Sequence, residues 1–400
     1  MNPVTLSIAS IRNRPLHSLL CVAAAAAGMT LLVVSFLLSQ SLNDGLTRNI
    51  RGIDIVAGAK GSPLQLVLSS VYHADVPTGN IEMSDVSSLL RNPQIKTAIP
   101  LAMGDNYKGW RVVGTTRDYI DLYHAGLAQG QVFTQPFEVV AGSLTGLAIG
   151  EQFAARHGFA ADSDDVHDQR LYIVTGILKP TGTVLDRLLL TPVESVQQLH
   201  SLPEEHEEEA AEHALAHQVT ALLIQAKSPL SVRNLPREIN RSSNIMAASP
   251  GYEMTRLSAS LGIGRDMLVI LGIGIVALSA LILLSALASN LMARRYDLAV
   301  MRVLGASPGT LFGTVISEGL ILSGLGTLAG IIAGHAAAYI AAMRIDTLRG
   351  IVLPESLLLP QAADFGFLLL GIASGLMAGF IPALSAARTD IAGLLAKGRL

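Results

Sequence analysis

Four histidines, His200, His206, His213 and His217, stand among Glu204, Glu205, Glu207, Glu208, Glu209 and Glu212, and they are four of the ten histidines in the chain. Imidazole with carboxylate is a donor set suited to zinc at an exposed site. In a helical segment His206, Glu209 and His213 would share a face, as would His213 and His217. The spacing follows no strict zinc motif, and a solvated acidic loop with incidental histidines accounts for the same residues. Two other ionisable groups, Glu318 and His335, fall within an apolar run, where an unpaired charge is costly and a partner is therefore expected. Glu318 is expected to pair with an arginine near the headgroups, and His335 to make an interfacial or inter-subunit polar contact. No convincing set of nucleophile, base and orienting acid is found, so no catalytic residue is assigned and the chain is not expected to be an enzyme. Gly58-Ala59-Lys60-Gly61-Ser62 has the wrong spacing for the phosphate-cradling pattern G-x-x-x-x-G-K-[ST].

These residues have to be positioned by elements that belong in a membrane. Half of the 400 residues are hydrophobic, 15% are charged and the mean hydropathy is +0.47, values that describe an integral membrane protein. A net charge of -3 gives no reason to expect nucleic acid as a partner. Met267 to Met292 contains no charged side chain. At roughly 1.5 Å per residue this run is longer than the roughly 30 Å hydrocarbon core of a bilayer. A connection with Arg294, Arg295 and Arg302 against one acid, Asp297, leads into a second apolar run ending at Met343. A basic turn between two spans belongs on the cytoplasmic side. The single cysteine, Cys21, lies in an apolar stretch and reads as a small core residue.

In chain order, residues 1–42 form an interfacial helix with Arg12 and Arg14 and then a first span; 43–265 form an α+β domain on the outer side. A second span covers 266–293, a cytoplasmic connecting helix 294–308, a third span 309–343, a short outer loop 344–364, and a fourth span with a cytoplasmic tail 365–400. The fold class is an α-helical membrane protein with four transmembrane helices and a large extracytoplasmic α+β domain inserted between the first two. Within that domain strands are expected at 53–57, 109–114, 137–141, 171–178, 188–191 and 219–225, and helices at 83–91 and 151–157. Both termini are expected in the cytoplasm, because basic residues cluster at the two ends and between spans two and three. Gly324, Gly326, Gly330 and Gly334 are expected to form a close-packing face used by a dimer or a tight bundle.

The connection carries the most specific signal. Asp297-Leu298-Ala299-Val300-Met301-Arg302-Val303-Leu304-Gly305-Ala306-Ser307, followed by a span entered through Ile316-Ser317-Glu318, resembles the E-x-A-x-[LM]-R-x-[LI]-G-A-[ST] signature of the FtsX-like permease family. Aspartate stands where glutamate is usual. That family contains the membrane subunits of lipoprotein-releasing and macrolide-exporting ABC transporters, and its layout is the four-span layout just described.

The resemblance implies a bacterial inner-membrane permease that couples ATP hydrolysis, with ATP and magnesium held by a separate ABC ATPase subunit, to movement of its outer domain. Lipoprotein, peptide or drug export, or zinc-linked transport, would fit. Asp297, Leu298, Met301, Arg302, Leu304 and Gly305 are the candidate ATPase-coupling residues, with Leu298, Met301, Arg302 and Leu304 packing into the ATPase. A second permease copy, identical or related, and a periplasmic or membrane-fusion partner are implied as well. The alternative is a regulatory scaffold of the cell-division type that activates an extracytoplasmic hydrolase.

Overall fold

The computed structural model describes residues 2–158, 170–199, 218–345 and 354–388. Its helices, numbered along the chain, are α1 Pro3–Asn13, α2 Pro15–Asn49, α3 Pro63–Ser70, α4 Met83–Leu90, α5 Arg117–Leu122, α6 Val193–Leu199, α7 Pro229–Ser242, α8 Pro250–Ala293, α9 Arg295–Val303, α10 Pro308–Arg344 and α11 Ala362–Ala387. Four of them, α2, α8 from Asp266 onward, α10 and α11, are long and apolar enough to cross a membrane. Two units result, a helical one holding residues 2–41, 261–345 and 354–388, and an α+β one built from Leu42–Ser260.

The helical unit is held by small residues. In lipid, apolar side chains gain nothing by leaving their solvent, so helices associate through close backbone approach and a few polar contacts. A Cβ on Gly326 would stand 2.6 Å from Ala25 Cβ, one on Gly330 2.7 Å from the Ala26 carbonyl oxygen, and one on Gly334 2.6 Å from Val33 Cβ. Those three glycines therefore seat α2 directly on α10. Gly324 faces open space and is not part of that face. On another side of α10, Ser323 and Thr327 fill the room left by Gly375 and Gly371 of α11. Ser279 Oγ adds a hydrogen bond to the Ala24 carbonyl at 2.7 Å, between α8 and α2. Cys21 is buried with Leu283, Leu287, Leu322 and Ala378.

The α+β unit has strands β1 Ile55–Ala59, β2 Ile81–Glu82, β3 Ile95–Tyr107, β4 Trp110–Thr115, β5 Leu127–Gly130, β6 Glu138–Ala141, β7 Gln152–Phe153, β8 Arg156–His157, β9 Tyr172–Leu178, β10 Leu188–Pro192, β11 Gln218–Val219, β12 Ala221–Ala226 and β13 Ile245–Ala248. The main sheet runs β13-β1-β12-β3-β4-β10-β6-β9-β5. It is mixed, with β10 parallel to β4, β6 parallel to β9 and the other pairs antiparallel. Alternation along the strands sorts two cores: Val56, Ala221 and Leu223 enter one cluster with Leu101, Val113, Tyr119 and Leu190, while Ile55, Ala57, Leu222 and Ile224 enter another with Leu235 and Ile239 of α7. Leu46 near the end of α2 and Met254 and Leu257 near the start of α8 pack in the first cluster.

Residues 151–157 are not a helix. They supply β7 and β8, because Phe153 stacks on both Tyr107 and Tyr172, with ring centroids 4.4 and 5.4 Å apart, and strand pairing with β9 and β3 fixes the backbone on either side. Tertiary pairing outweighs local helix propensity over so short a stretch.

Candidate coupling site

Asn290, Arg294, Glu318 and the first helix meet at the end of the bundle that carries α9. Glu318 is 5% exposed; it accepts a hydrogen bond from Ser10 Oγ at 2.8 Å and another from Asn290, and the guanidinium charges of Arg294 and Arg14 act on it. Arg14 Nη1 donates to Asn290 Oδ1 at 2.9 Å, and Arg294 Nη2 donates to the Ser10 carbonyl at 3.4 Å. Ser7 Oγ donates to the Thr314 carbonyl at 2.6 Å. One carboxylate, two guanidiniums and an amide thus bind α1, α8, the α8–α9 junction and α10. A buried carboxylate is tolerated when hydrogen-bonded in this way. The expected arginine pairing takes an indirect form: Arg294 and Arg14 act on Glu318 through their charge while bonding Ser10 and Asn290, which in turn hold the carboxylate, and α1 lies against α10 through its serines.

The connection folds as its residues dictate. Gly305 takes a φ of +98°, which closes α9, and Ser307 Oγ accepts from the Thr310 N–H at 3.2 Å, capping α10 with Pro308 in its first turn. Leu298 is 7% exposed and packs with Leu291, Leu311, Val315, Ala383 and Ala386, so it is turned into the bundle and is unavailable to a docking partner. Met301 is half-buried against the same cluster. Arg302 donates to the Ala306 carbonyl at 3.3 Å and braces the turn. Asp297 is exposed, and Leu304 at 79% and Val303 at 63% exposure form an apolar tip.

At the other end of α10, His335 is 7% exposed. Its Nδ1 faces the Leu357 carbonyl, which can only accept, so Nδ1 carries the proton. Nε2 lies 3.1 and 3.2 Å from the two oxygens of Asp364, whose carboxylate also accepts the Gln361 N–H at 2.7 Å and caps α11. His335 therefore makes an intrachain contact that ties α10 to the start of α11. The four candidate zinc ligands His200, His206, His213 and His217 lie outside the described residues. Among the described residues no group of three or more His, Cys, Asp and Glu side chains stands ready for a metal.

Two family models match the sequence: an FtsX-like permease C-terminal model over residues 269–391, and a MacB-like periplasmic core domain model over residues 18–242, more than half of the chain. A comparison with curated proteins gives no match. Among solved structures, the chain is similar to the periplasmic region of MacB from Actinobacillus actinomycetemcomitans, with 12% identity and a TM-score of 0.33, covering 53% of this chain and 97% of that one. It is also similar to the extracellular domain of the noncanonic ABC-type transporter YknZ from Gram-positive bacteria, with 12% identity and a TM-score of 0.30, covering 49% and 99% respectively.

Proposed function

Because the chain belongs to the FtsX-like permease family with a MacB-like periplasmic core domain, we propose that it is the transmembrane subunit of an ABC transporter in a bacterial inner membrane, driven by an ATPase on a separate chain. In this reading α9 faces the cytoplasm, both termini lie there, and two permease copies assemble with two ATPases. The observation that carries it is the two-sided character of α9. Leu298 and Ala299 are buried in the bundle while Val303 and Leu304 stand exposed at its end, so the helix is anchored on one side and offers an apolar tip on the other. Exposed apolar side chains at a helix end suit insertion into a cleft of a partner. A push there reaches α1, α8 and α10 through the Glu318 network. α2 and α8 then lead to Leu46, Met254 and Leu257 in the outer core, a route by which the α+β unit would be moved without a hydrophilic pore.

Changing Val303 and Leu304 together to aspartate tests the reading. Both side chains are exposed, so the permease keeps its own melting temperature, while the ATPase no longer co-purifies because a carboxylate in the docked contact would be desolvated without a partner. Undiminished co-purification and ATPase coupling in the double variant would falsify the docking role.

A further inference from the structure

The outer unit contains a half-open cavity of about 110 Å³ lined by residues from three distant segments, including Tyr72 and His73 after α3, Trp110 and Arg111 on β4, and Val184 and Arg187 before β10. Its chemistry is one-sided. Arg111 and Arg187 are half-buried and line the cavity together with His73, so three nitrogen-rich groups surround one space. Arg111 Nη1 donates to the Asp75 carbonyl at 2.8 Å, and the Asp75 charge partly offsets the guanidinium. The carboxylate of Asp75 itself accepts the Val76 N–H at 2.7 Å. Asp186, next to Arg187 in sequence, is turned away and accepts from the Thr181 and Gly182 amides. No acidic side chain is among the described residues that line the cavity.

Two buried nitrogens there lack a protein partner. His73 is 7% exposed; its Nε2 meets the Tyr119 hydroxyl at 3.0 Å, and its Nδ1 is buried with no hydrogen-bond partner. Arg187 Nε is likewise buried with none. A buried donor left unmade costs about 1–3 kcal/mol, more when charged, so the Arg187 Nε–H calls for an acceptor. His73 Nδ1 donates or accepts according to whether Tyr119 or His73 supplies the proton between them, and a monohydrogen phosphate, with both P–OH and P–O groups, meets either.

We propose that this cavity binds a phosphate group, held by the Arg187 and Arg111 guanidiniums beside the unpartnered His73 Nδ1. Two guanidiniums match a dianion better than a singly charged carboxylate, and their planar forks suit phosphate oxygens. The volume admits one tetrahedral oxyanion and is well below the roughly 300 Å³ at which pockets for drug-sized ligands begin. The group can belong to free phosphate or to a phosphate monoester such as a lipid-derived headgroup. Its position matters to the rest of the unit, because Tyr72 donates from its hydroxyl to the Leu46 carbonyl and the Val184 N–H donates to Asn49 Oδ1, so two cavity residues hold the last turns of α2.

Trp110 is the only tryptophan in the chain, so its emission reports on this cavity in the unaltered protein. The full chain in detergent is titrated with inorganic phosphate, with glycerol phosphate, and with acetate and chloride at equal ionic strength. A saturable change with either phosphate compound, and none with acetate or chloride, is expected; the tighter of the two assigns the source. Arg187→Lys keeps the charge but loses the fork and should weaken binding at least tenfold, an effect in the range of one charge-assisted hydrogen bond. A phosphate response no larger than that of chloride in the unaltered protein overturns the proposal, whatever the variant does. So does a response that Arg187→Lys, folded with an unchanged melting temperature, leaves intact.

Discussion

The two units of this chain solve the same packing problem with opposite materials. The α+β unit buries large apolar side chains, Tyr119, Leu101, Leu190 and Leu223 among them, between sheet and helices. The helical unit turns large residues such as Ile270, Ile332 and Met377 outward and keeps glycine, alanine and serine at its contacts. Water makes burial of apolar area favourable for the first, while lipid offers no such gain to the second, which must rely on backbone proximity and a few polar links. The same substitution should therefore have opposite consequences in the two halves.

The largest effect is expected in the sheet. Leu190→Ala, at a fully buried position, should cost about 3 kcal/mol. Ile332→Ala, at a position 63% exposed on α10, should leave the melting temperature in detergent nearly unchanged. Comparable losses from the two would break the contrast. Next comes the reverse change. Gly330→Leu forces a side chain into a site where even a Cβ would lie 2.6 Å from Met29 Cβ, and should cost about 2 kcal/mol or more, whereas Gly324→Leu meets open space. Thermal unfolding of both variants measures the difference, and equal tolerance would remove the argument for a seated α2.

The effect that is smallest near neutral pH, and grows only on acidification, separates the units by titration. Burial, with Arg111 and Arg187, pushes the His73 imidazole down to about 3. In the unfolded chain it titrates near 6.5. Between those values the unfolded state binds the extra proton, so stability falls as pH falls, by at most about 1.4 kcal/mol per pH unit. His73→Gln should flatten that part of the profile measured in chloride buffer. Superimposable profiles for the two proteins would mean that His73 does not titrate in this way.

The spans, the order of the two units and the α+β class were legible because charge-free runs, basic flanks and strand-like alternation are local signals. Residues 151–157 were misread because Phe153 is held by Tyr107 and Tyr172, which lie far away in sequence. The signature in the connection located α9, but which of its side chains faced outward depended on Leu291, Leu311 and Ala383 from three other helices. Arg14 and Asn290 gave only faint signals, a flanking charge and one amide near the end of an apolar run. The phosphate cavity gave none, since its residues come from three separated segments. For His200, His206, His213 and His217 the sequence reading stands as a proposal, tested by calorimetric zinc titration of the protein beside a variant with all four changed to serine. Binding heats that match in the two would retire it.

The His335–Asp364 pair also decides how two of the helices respond to a load. His335 meets the Leu357 carbonyl through Nδ1 and the Asp364 carboxylate through Nε2, and the same carboxylate accepts the Gln361 N–H, so one imidazole and one carboxylate fasten the end of α10 to the turn at Leu357 and to the first turn of α11. Two helices joined in this way at one end and packed glycine against hydroxyl along their length cannot slide past each other, so α10 and α11 answer a mechanical load as a single rod.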